Sequence, residues 1–405
     1  MTARRVVVTG LGVICALGHN LAEVWCALRT GRSGIGPIRS VDVSNLRFQN
    51  GAEVREYDTG KHFGSGADLL DRFAQFALIS AREAVADSGV TLTPELRENT
   101  AVVSGSCVGG QSTQDAGFVE LYRQERGRVH PLTIPRTMAN AGASHISVEF
   151  GTTGPAFTIS TACSSANHAI GQAFRMVRSG EVDLAIAGGS EAPFSMGLLK
   201  AWEAIRVIAP DTCRPFSRDR RGMILGEGGA MLVLEPLERA EARGARIYGE
   251  IVGLGMSSDA GHITQPSVEG PARAMRAALR DAQLHPEQVG YINAHGTGTP
   301  GNDPTETRAI REVFGAHADR LAVSSTKSMH GHALGAAGAL EAVATVMALH
   351  QGLLPPTANF IGPDPECDLD IITHRARAAQ VECALSNSFA FGGLNAVLAL
   401  RTHLR

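Results

Sequence analysis

The feature that most constrains the fold is a short stretch that occurs twice. Residues 158–164 read TISTACS and residues 322–328 read AVSSTKS, and each β-rich run is followed by a helix rich in small residues. A second echo relates VTGLG at 8–12 to IVGLG at 251–255. Repeated units of this kind predict two related halves whose strand-to-helix joints meet at one centre.

The fold class predicted from the order of elements is α/β, because strands and helices alternate along the chain. The apolar run at 182–189 is typical of a strand covered on both faces. Residues 6–12 predict a strand that leads into a glycine turn at 10–12. We place an N-terminal half at 1–243, with insertions for a pocket or dimer contact, and a C-terminal half at 244–405.

Composition excludes several classes of protein. The 405 residues are 44% hydrophobic and carry a net charge of -3, which gives no basis for nucleic-acid binding. No run approaches the roughly 18 apolar residues of a membrane span, and the chain opens directly on a strand pattern, so we expect a cytoplasmic protein. The seven cysteines are scattered without CxxC spacing, which favours neither a disulfide framework nor a zinc site.

Cys163 lies where the first joint passes into its helix. The positive end of a helix and its unpaired N–H groups stabilise a thiolate, so this position predicts a lowered thiol pKa and a nucleophile. The competing interpretation is that Cys163 is a small buried hydrophobic residue. Only further chemistry elsewhere in the chain can decide between them.

The residues that decide between these two interpretations lie at two later strand ends. A strand at 289–293 runs into a glycine turn with His295, and the second joint carries Lys327 and His332. One thiol, two imidazoles and an ammonium are the groups that thiol-based acyl transfer requires. A metal site at His330 and His332 is the alternative, but no third ligand is evident.

Four motifs together resemble the β-ketoacyl-acyl carrier protein synthases of the condensing-enzyme family, over essentially the whole chain. They are TACSS at 161–165, NAHGTGT at 293–299, KSMHGH at 327–332 with GAAG at 335–338, and NSFAFGG at 387–393. The segment AWEAIRV at 201–207 is similar to the nodulation branch of the elongating type II synthases, with type II polyketide ketosynthases as further relatives. The resemblance implies a thiolase-like fold, with two pseudo-symmetric α/β halves that form a layered αβαβα core.

The resemblance also implies catalytic roles. Cys163 would accept an acyl group as a thioester, and His295 and His332 would polarise the malonyl thioester carbonyl and assist decarboxylation. The backbone N–H groups of Cys163 and Phe391 would form the oxyanion hole. Lys327 would keep the site electropositive and help to orient His332.

Supporting residues follow from the same resemblance. Glu341 would be the partner behind Lys327, and Thr297 and Thr299 would bind the phosphopantetheine arm. The alternative for both threonines is that their hydroxyls only satisfy the local turn. Phe391 would also act as a gate in a loop whose neighbours, Ala390 and Leu394, are larger than the residues usual in the family.

Three residues match acyl-pocket positions of relatives, namely Val108, Leu132 and Thr133. Val108 and Thr133 are smaller or more polar than the residues of many elongating relatives, so we expect a long or polyunsaturated acyl chain, with a neutral core change as the alternative. Residues 65–69 lack the basic side chains that grip the acyl carrier protein in relatives, whereas Arg206 matches a docking position. The expectation is a dedicated carrier protein, or a partner subunit that supplies the missing basic surface.

The predicted function is therefore decarboxylative Claisen condensation with malonyl on acyl carrier protein, without metal or organic cofactor. The chain would work as a homodimer, or as a heterodimer with a chain-length-factor-like subunit in a type II polyketide system. A non-catalytic scaffold of the same fold and a degradative thiolase are the remaining alternatives.

Overall fold

The computed structural model describes residues 3–403. The strands are, in chain order, β1 (Val6–Cys15), β2 (Gly36–Pro37), β3 (Asn50–Gly51), β4 (Thr100–Gly105), β5 (Ala156–Ile159), β6 (Leu184–Glu191), β7 (Gly228–Pro236), β8 (Gly249–Ser258), β9 (Val289–Asn293), β10 (Ala322–Ser324), β11 (Leu353–Leu354), β12 (Asp370–Ile371), β13 (Arg377–Ala378), β14 (Cys383–Ala390) and β15 (Leu394–Arg401). The helices are α1 (Leu21–Thr30), α2 (Thr59–Phe63), α3 (Arg72–Ser88), α4 (Pro94–Glu98), α5 (Gln111–Phe118), α6 (Thr133–Thr137), α7 (Ala141–Phe150), α8 (Ser165–Ser179), α9 (Met196–Ile205), α10 (Leu237–Ala242), α11 (Glu269–Ala282), α12 (Asn302–Phe314), α13 (Lys327–His330) and α14 (Ala337–Gln351).

The main sheet has eleven strands in the order β12-β10-β9-β14-β15-β8-β1-β7-β6-β4-β5. When the two-residue strands are left out, both halves have the same strand order. From the outer edge inward it is β10-β9-β14-β15-β8 in the C-terminal half and β5-β4-β6-β7-β1 in the N-terminal half, which is the third, second, fourth, fifth and first strand of each half. The halves join through an antiparallel pairing of β1 with β8, where Val6 lies opposite Ile251. Two pseudo-symmetric α/β halves are therefore confirmed, while their division after residue 243 stays a prediction.

Five layers result from the packing of helices on the two halves of the sheet. The central layer consists of α8 and α14, which pack against each other and against strands of both halves. Helices α3 and α7 cover the outer face of the N-terminal half, and α11 and α12 cover that of the C-terminal half. This is the predicted αβαβα core, and it places the N-termini of both central helices in the interior.

The glycine turn predicted at 10–12 is wrong, and the glycines of IVGLG also lie within a strand. Strand β1 continues through the predicted turn to Cys15. A Cβ at Gly10 would lie 2.1 Å from the Ala84 carbonyl oxygen of α3, and one at Gly255 would lie 1.9 Å from the Ala274 carbonyl oxygen of α11. Each outer helix therefore crosses its strand too closely for a side chain on the strand, which explains why glycines recur at the same places in the VTGLG and IVGLG segments.

The two strand-to-helix joints lie where the sequence predicts them. Strand β5 leads to Cys163 just before α8, and β10 leads into α13 at Lys327. A Cβ at Gly105 would lie 2.5 Å from the Ala166 backbone nitrogen, so the start of α8 is pressed against β4. Within residues 3–403, no helix has the length and apolar character required to cross a membrane.

Candidate active site

One cavity brings most of the predicted site residues together. Its volume is about 320 Å³, and it opens from the strand-to-helix joints to the surface. The predicted residues on its wall are Cys163, His295, His332, Thr297, Thr299, Phe391 and Arg206. Residues separated by more than two hundred positions in sequence therefore line one cavity.

Cys163 follows a strained turn. Ala162 has φ 50°, a left-handed conformation that residues with a Cβ rarely adopt. The hydroxyl of Ser165 donates to the Ala162 carbonyl oxygen at 2.6 Å and holds the turn in place. The turn presents the thiol to the cavity wall while leaving Cys163 only 7% exposed.

The electrostatics of this thiol differ from the prediction. Burial raises the pKa of Cys163 to about 11, although the Lys327 ammonium and the backbone N–H groups of Phe391 and of Cys163 itself lower it. The predicted lowering of the pKa is therefore wrong, because desolvation of a thiolate outweighs the donors around it. The two backbone N–H groups that lower this pKa are those predicted to form the oxyanion hole. Their role as an oxyanion hole stays a prediction.

Hydrogen bonds fix the tautomer of His295. Lys327 Nζ lies 3.3 Å from His295 Nδ1, and an ammonium can only donate, so Nδ1 accepts. Burial lowers the pKa of His295 well below its usual value, with Lys327 contributing. The ring is therefore neutral and carries its proton on Nε2.

His332 reaches the same state by another route. The backbone N–H of Leu334 donates to His332 Nδ1 at 3.2 Å, and burial lowers the pKa of His332 well below its usual value. The two imidazole rings lie edge to face with centroids 5.4 Å apart. Both rings are thus neutral Nε2–H donors on the wall of the cavity.

Lys327 contacts His295, and not His332 as predicted. The correction has a simple cause: His332 already receives the Leu334 N–H, whereas the ring of His295 leaves Nδ1 free for the ammonium. On its other side Lys327 forms an ion pair with Glu341, and both side chains are fully buried. Glu341 thus stands behind Lys327, as the sequence predicts.

The loop after β14 closes one side of the cavity. Gly392 and Gly393 have φ 84° and 69°, and a Cβ at Gly393 would lie 2.5 Å from the Asp259 Cβ. The loop therefore packs against Asp259 too closely to admit a Cβ at position 393. The Phe391 ring stacks on Trp202, with centroids 6.1 Å apart and an angle of 25° between planes.

The two threonines interact with each other as well as with their turn. Thr297 Oγ1 and Thr299 Oγ1 are 2.9 Å apart, and Thr299 Oγ1 also accepts from the Asn302 N–H at 3.2 Å. The hydroxyl of Thr299 thus satisfies the turn, as the alternative interpretation requires, while both residues also face the cavity.

The three predicted acyl-pocket residues lie apart from this cavity, whose lining does not include them. Val108 is half-buried, and its N–H lies 3.3 Å from a carboxylate oxygen of Glu191. Leu132 is 37% exposed, and Thr133 begins α6 with its hydroxyl bonded to the His130 carbonyl oxygen. None of the three therefore lies on the wall of the cavity that contains Cys163.

His330 cannot serve as a metal ligand in this arrangement, because both ring nitrogens are occupied. Nδ1 donates to the Gly331 carbonyl oxygen at 2.8 Å and Nε2 accepts from the Thr326 hydroxyl at 3.0 Å. Among residues 3–403, no group of three or more His, Cys, Asp or Glu side chains is placed to hold a metal ion.

Sequence reasoning missed Glu306, which supports the turn that carries His295. Its carboxylate accepts the N–H groups of His295 and Gly296, each at 2.8 Å, and the side-chain amide of Asn387 at 3.1 Å. The signal available was an acidic residue in the first turns of the helix that follows the glycine turn. Trp202 was also missed as the partner of Phe391.

Comparisons with known proteins agree with this geometry. The model of the β-ketoacyl synthase N-terminal domain matches residues 3–240, and that of the C-terminal domain matches residues 248–361. The chain belongs to the β-ketoacyl synthase family. The resemblance inferred from the motifs is thereby confirmed, together with the thiolase-like fold and the class of enzyme, a ketosynthase.

Similar proteins of this family match over nearly the full chain. Nodulation protein E of Rhizobium sp. (strain N33) is 48% identical over 401 residues, which cover 98% of this chain and 99% of the relative. A 3-oxoacyl-[acyl-carrier-protein] synthase 2 of Synechocystis sp. is 44% identical and covers 99% and 98%. The solved structure described as the ishigamide ketosynthase/chain length factor has a TM-score of 0.95 at 38% identity, with 100% of both chains covered.

Proposed function

We propose that the protein is a β-ketoacyl-acyl carrier protein synthase that extends an acyl chain by decarboxylative Claisen condensation with a malonyl thioester. The observation that carries the proposal is the pairing of two neutral imidazole donors, His295 and His332, in the same cavity as the Cys163 thiol, whose pKa the backbone N–H groups of Phe391 and Cys163 lower. Each set of donors suits one of the two oxyanions that this reaction forms.

The first step transfers the acyl group to Cys163. The sulfur attacks the carbonyl of an acyl thioester, and the N–H groups of Cys163 and Phe391 stabilise the tetrahedral oxyanion. The pantetheine sulfur then leaves and takes the proton that the thiol gives up. Because burial keeps Cys163 protonated at neutral pH, the departing thiolate is a suitable acceptor for that proton.

The second step makes the carbon–carbon bond. The Nε2–H groups of His295 and His332 donate to the malonyl thioester carbonyl oxygen while its carboxylate leaves as CO2. The resulting carbanion attacks the acyl-Cys163 carbonyl, and the Cys163 thiolate departs and regains a proton from solvent. In comparable sites, loss of one such donor lowers kcat by about 10²- to 10³-fold.

The remaining roles follow from these steps. Lys327 fixes the proton position on His295, Glu341 holds Lys327, and Thr297 and Thr299 bind the amides of the phosphopantetheine arm. Loss of CO2 itself generates the carbanion, so the proposed reaction needs no metal or organic cofactor. A cytoplasmic location and an acyl carrier protein as partner belong to the same proposal.

A second subunit is part of the proposed working enzyme. Ile134 is 69% exposed and Val148 is 79% exposed, and α7, which carries Val148, packs against the edge strand β5. A partner that covers them would also enclose Val108, Leu132 and Thr133 in one acyl pocket. The partner is a second copy or a chain-length-factor-like subunit, and the similarity to a ketosynthase/chain length factor structure favours the second candidate.

The experiment is a condensation assay with the purified chain, acyl carrier loaded with acyl and malonyl groups, and mass spectrometry of the carrier. A carrier-bound product longer by two carbons supports the proposal. Activity that appears only after a chain-length-factor-like subunit is added supports the heterodimer. Equal activity with a housekeeping carrier protein and with the dedicated carrier protein contradicts the need for a dedicated carrier. Acyl-enzyme formation without any product, whatever the subunit or carrier, contradicts the proposed reaction.

A further inference from the structure

Two arginines stand at the mouth of the active-site cavity. Arg206, with φ 61°, caps the C-terminal end of α9, and Arg221 lies on the adjacent segment, which pairs with residues 207–208 through the bridge between Ile208 and Met223. Both residues are exposed and both line the cavity wall. Sequence reasoning identified the first and missed the second.

Backbone hydrogen bonds hold the segments of these arginines against the threonine turn. The N–H of Gly222 donates to the Gly298 carbonyl oxygen, and the N–H of Met223 donates to the Val207 carbonyl oxygen, both at 2.9 Å. A Cβ at Gly222 would lie 2.4 Å from that Val207 oxygen. Arg206, Arg221 and the Thr297–Thr299 turn therefore form one rigid rim.

The charge at this rim is not balanced from within the chain. Among residues 3–403, neither Arg206 nor Arg221 forms an ion pair, whereas the neighbouring Arg220 is bound to Asp364. The acids that line the cavity are occupied elsewhere. Asp259 accepts from the Ser267 N–H and the Asn395 amide, and Glu306 accepts at the His295 turn.

We propose that Arg206 and Arg221 bind the phosphate of the phosphopantetheine arm at the cavity mouth. This inference rests on the proposed function, which requires a thioester on such an arm to reach Cys163. Planar guanidinium groups suit phosphate oxygens because they donate two parallel hydrogen bonds. With the phosphate at the rim, the arm would pass the Thr297 and Thr299 hydroxyls before its sulfur reaches the thiol.

The test compares two acyl thioesters that differ only in the phosphate, acyl-4′-phosphopantetheine and acyl-pantetheine. The readout is the rate of acylation of Cys163, followed by the mass of the intact enzyme. Arg221→Ala should lower kcat/KM for the phosphorylated thioester by about tenfold, a loss of one charge-assisted contact, and leave the other thioester unchanged. Arg221→Lys should recover part of the loss.

The control is Arg218→Ala, since Arg218 is an exposed arginine of the same loop that does not line the cavity. It should change neither rate. Equal losses on both thioesters, or no loss on the phosphorylated one, would overturn the phosphate site. A loss seen only with the whole carrier protein would assign Arg221 to the carrier surface instead. If the loaded carrier protein acylates the unaltered enzyme but neither thioester does, the phosphate site is overturned and the proposed function stands. If the loaded carrier protein also fails, the proposed function fails.

Discussion

Replacing Lys327 by Met tests the buried ion pair in two separate ways. The Lys327 and Glu341 side chains are both fully buried, and Glu341 Oε2 has no hydrogen-bond partner, so Lys327 is the group that compensates the carboxylate. Removal of one member of such a pair costs about 3–5 kcal/mol of the free energy of unfolding. The catalytic effect is distinct, because His295 Nδ1 also loses its donor.

The loss of stability should depend on pH with a definite sign. Burial already raises the pKa of Glu341 to about 7, against the opposing effect of Lys327. Without the ammonium this pKa rises further, so the folded state binds a proton that the unfolded state releases above about pH 4.5. Stability of Lys327→Met should then fall as pH rises, by up to ~1.4 kcal/mol per pH unit.

The assay is chemical unfolding at pH 6 and pH 8.5, together with the rate of condensation. The double variant Lys327→Met, Glu341→Leu is the control, since it removes both charges. It should regain most of the stability and lose the pH dependence, yet stay about 10²-fold or more below the unaltered enzyme in kcat. A single variant as stable at pH 8.5 as at pH 6, or a double variant with restored activity, would refute this reasoning.

Three further predictions follow from the site. Alkylation of Cys163 by iodoacetamide should accelerate roughly tenfold per pH unit between pH 7 and 9, because the pKa is about 11 and only the thiolate reacts; a plateau near pH 7 would contradict this. Burial lowers the pKa of His330 to about 3, so its contribution to stability is complete above about pH 6.5 and is lost as pH falls towards 3; unfolding curves for His330→Gln should show a weaker dependence in that range. Gly393→Ala should slow condensation at least about tenfold, because φ is 69° and the new Cβ would meet Asp259, whereas Gly66→Ala, with open space around it, should have no effect on the measured rate.

The repeated strand-to-helix joints could be predicted because they are local patterns. The TISTACS and AVSSTKS stretches each contain a strand end and a helix start, and the motifs around Cys163, His295 and Lys327 name their chemistry. The glycines of VTGLG were also recognised as a repeat. The structural reason for these glycines could not be predicted, because the strand pattern alone does not reveal that a helix crosses the strand at that point.

What sequence could not provide is the environment that distant segments create. The pKa of Cys163 depends on how completely tertiary packing encloses the thiol. Its position at the start of a helix predicted a lowered pKa, whereas burial raises the pKa. The partner of Lys327 depends on which imidazole nitrogen is already occupied, and Leu334 decides that through its backbone. Arg221 lies outside every motif, and only the folded backbone shows that it shares a rim with Arg206.

The most direct test of the account is the mass of the intact chain after incubation with an acyl-loaded carrier protein. We expect one added acyl group on the unaltered chain and on Cys26→Ala, which removes an exposed thiol, and none on Cys163→Ala. Peptide mapping should place that group on Cys163. An acyl adduct that persists in Cys163→Ala, or that disappears in Cys26→Ala, would contradict the central claim that the buried thiol at the start of α8 carries the growing chain.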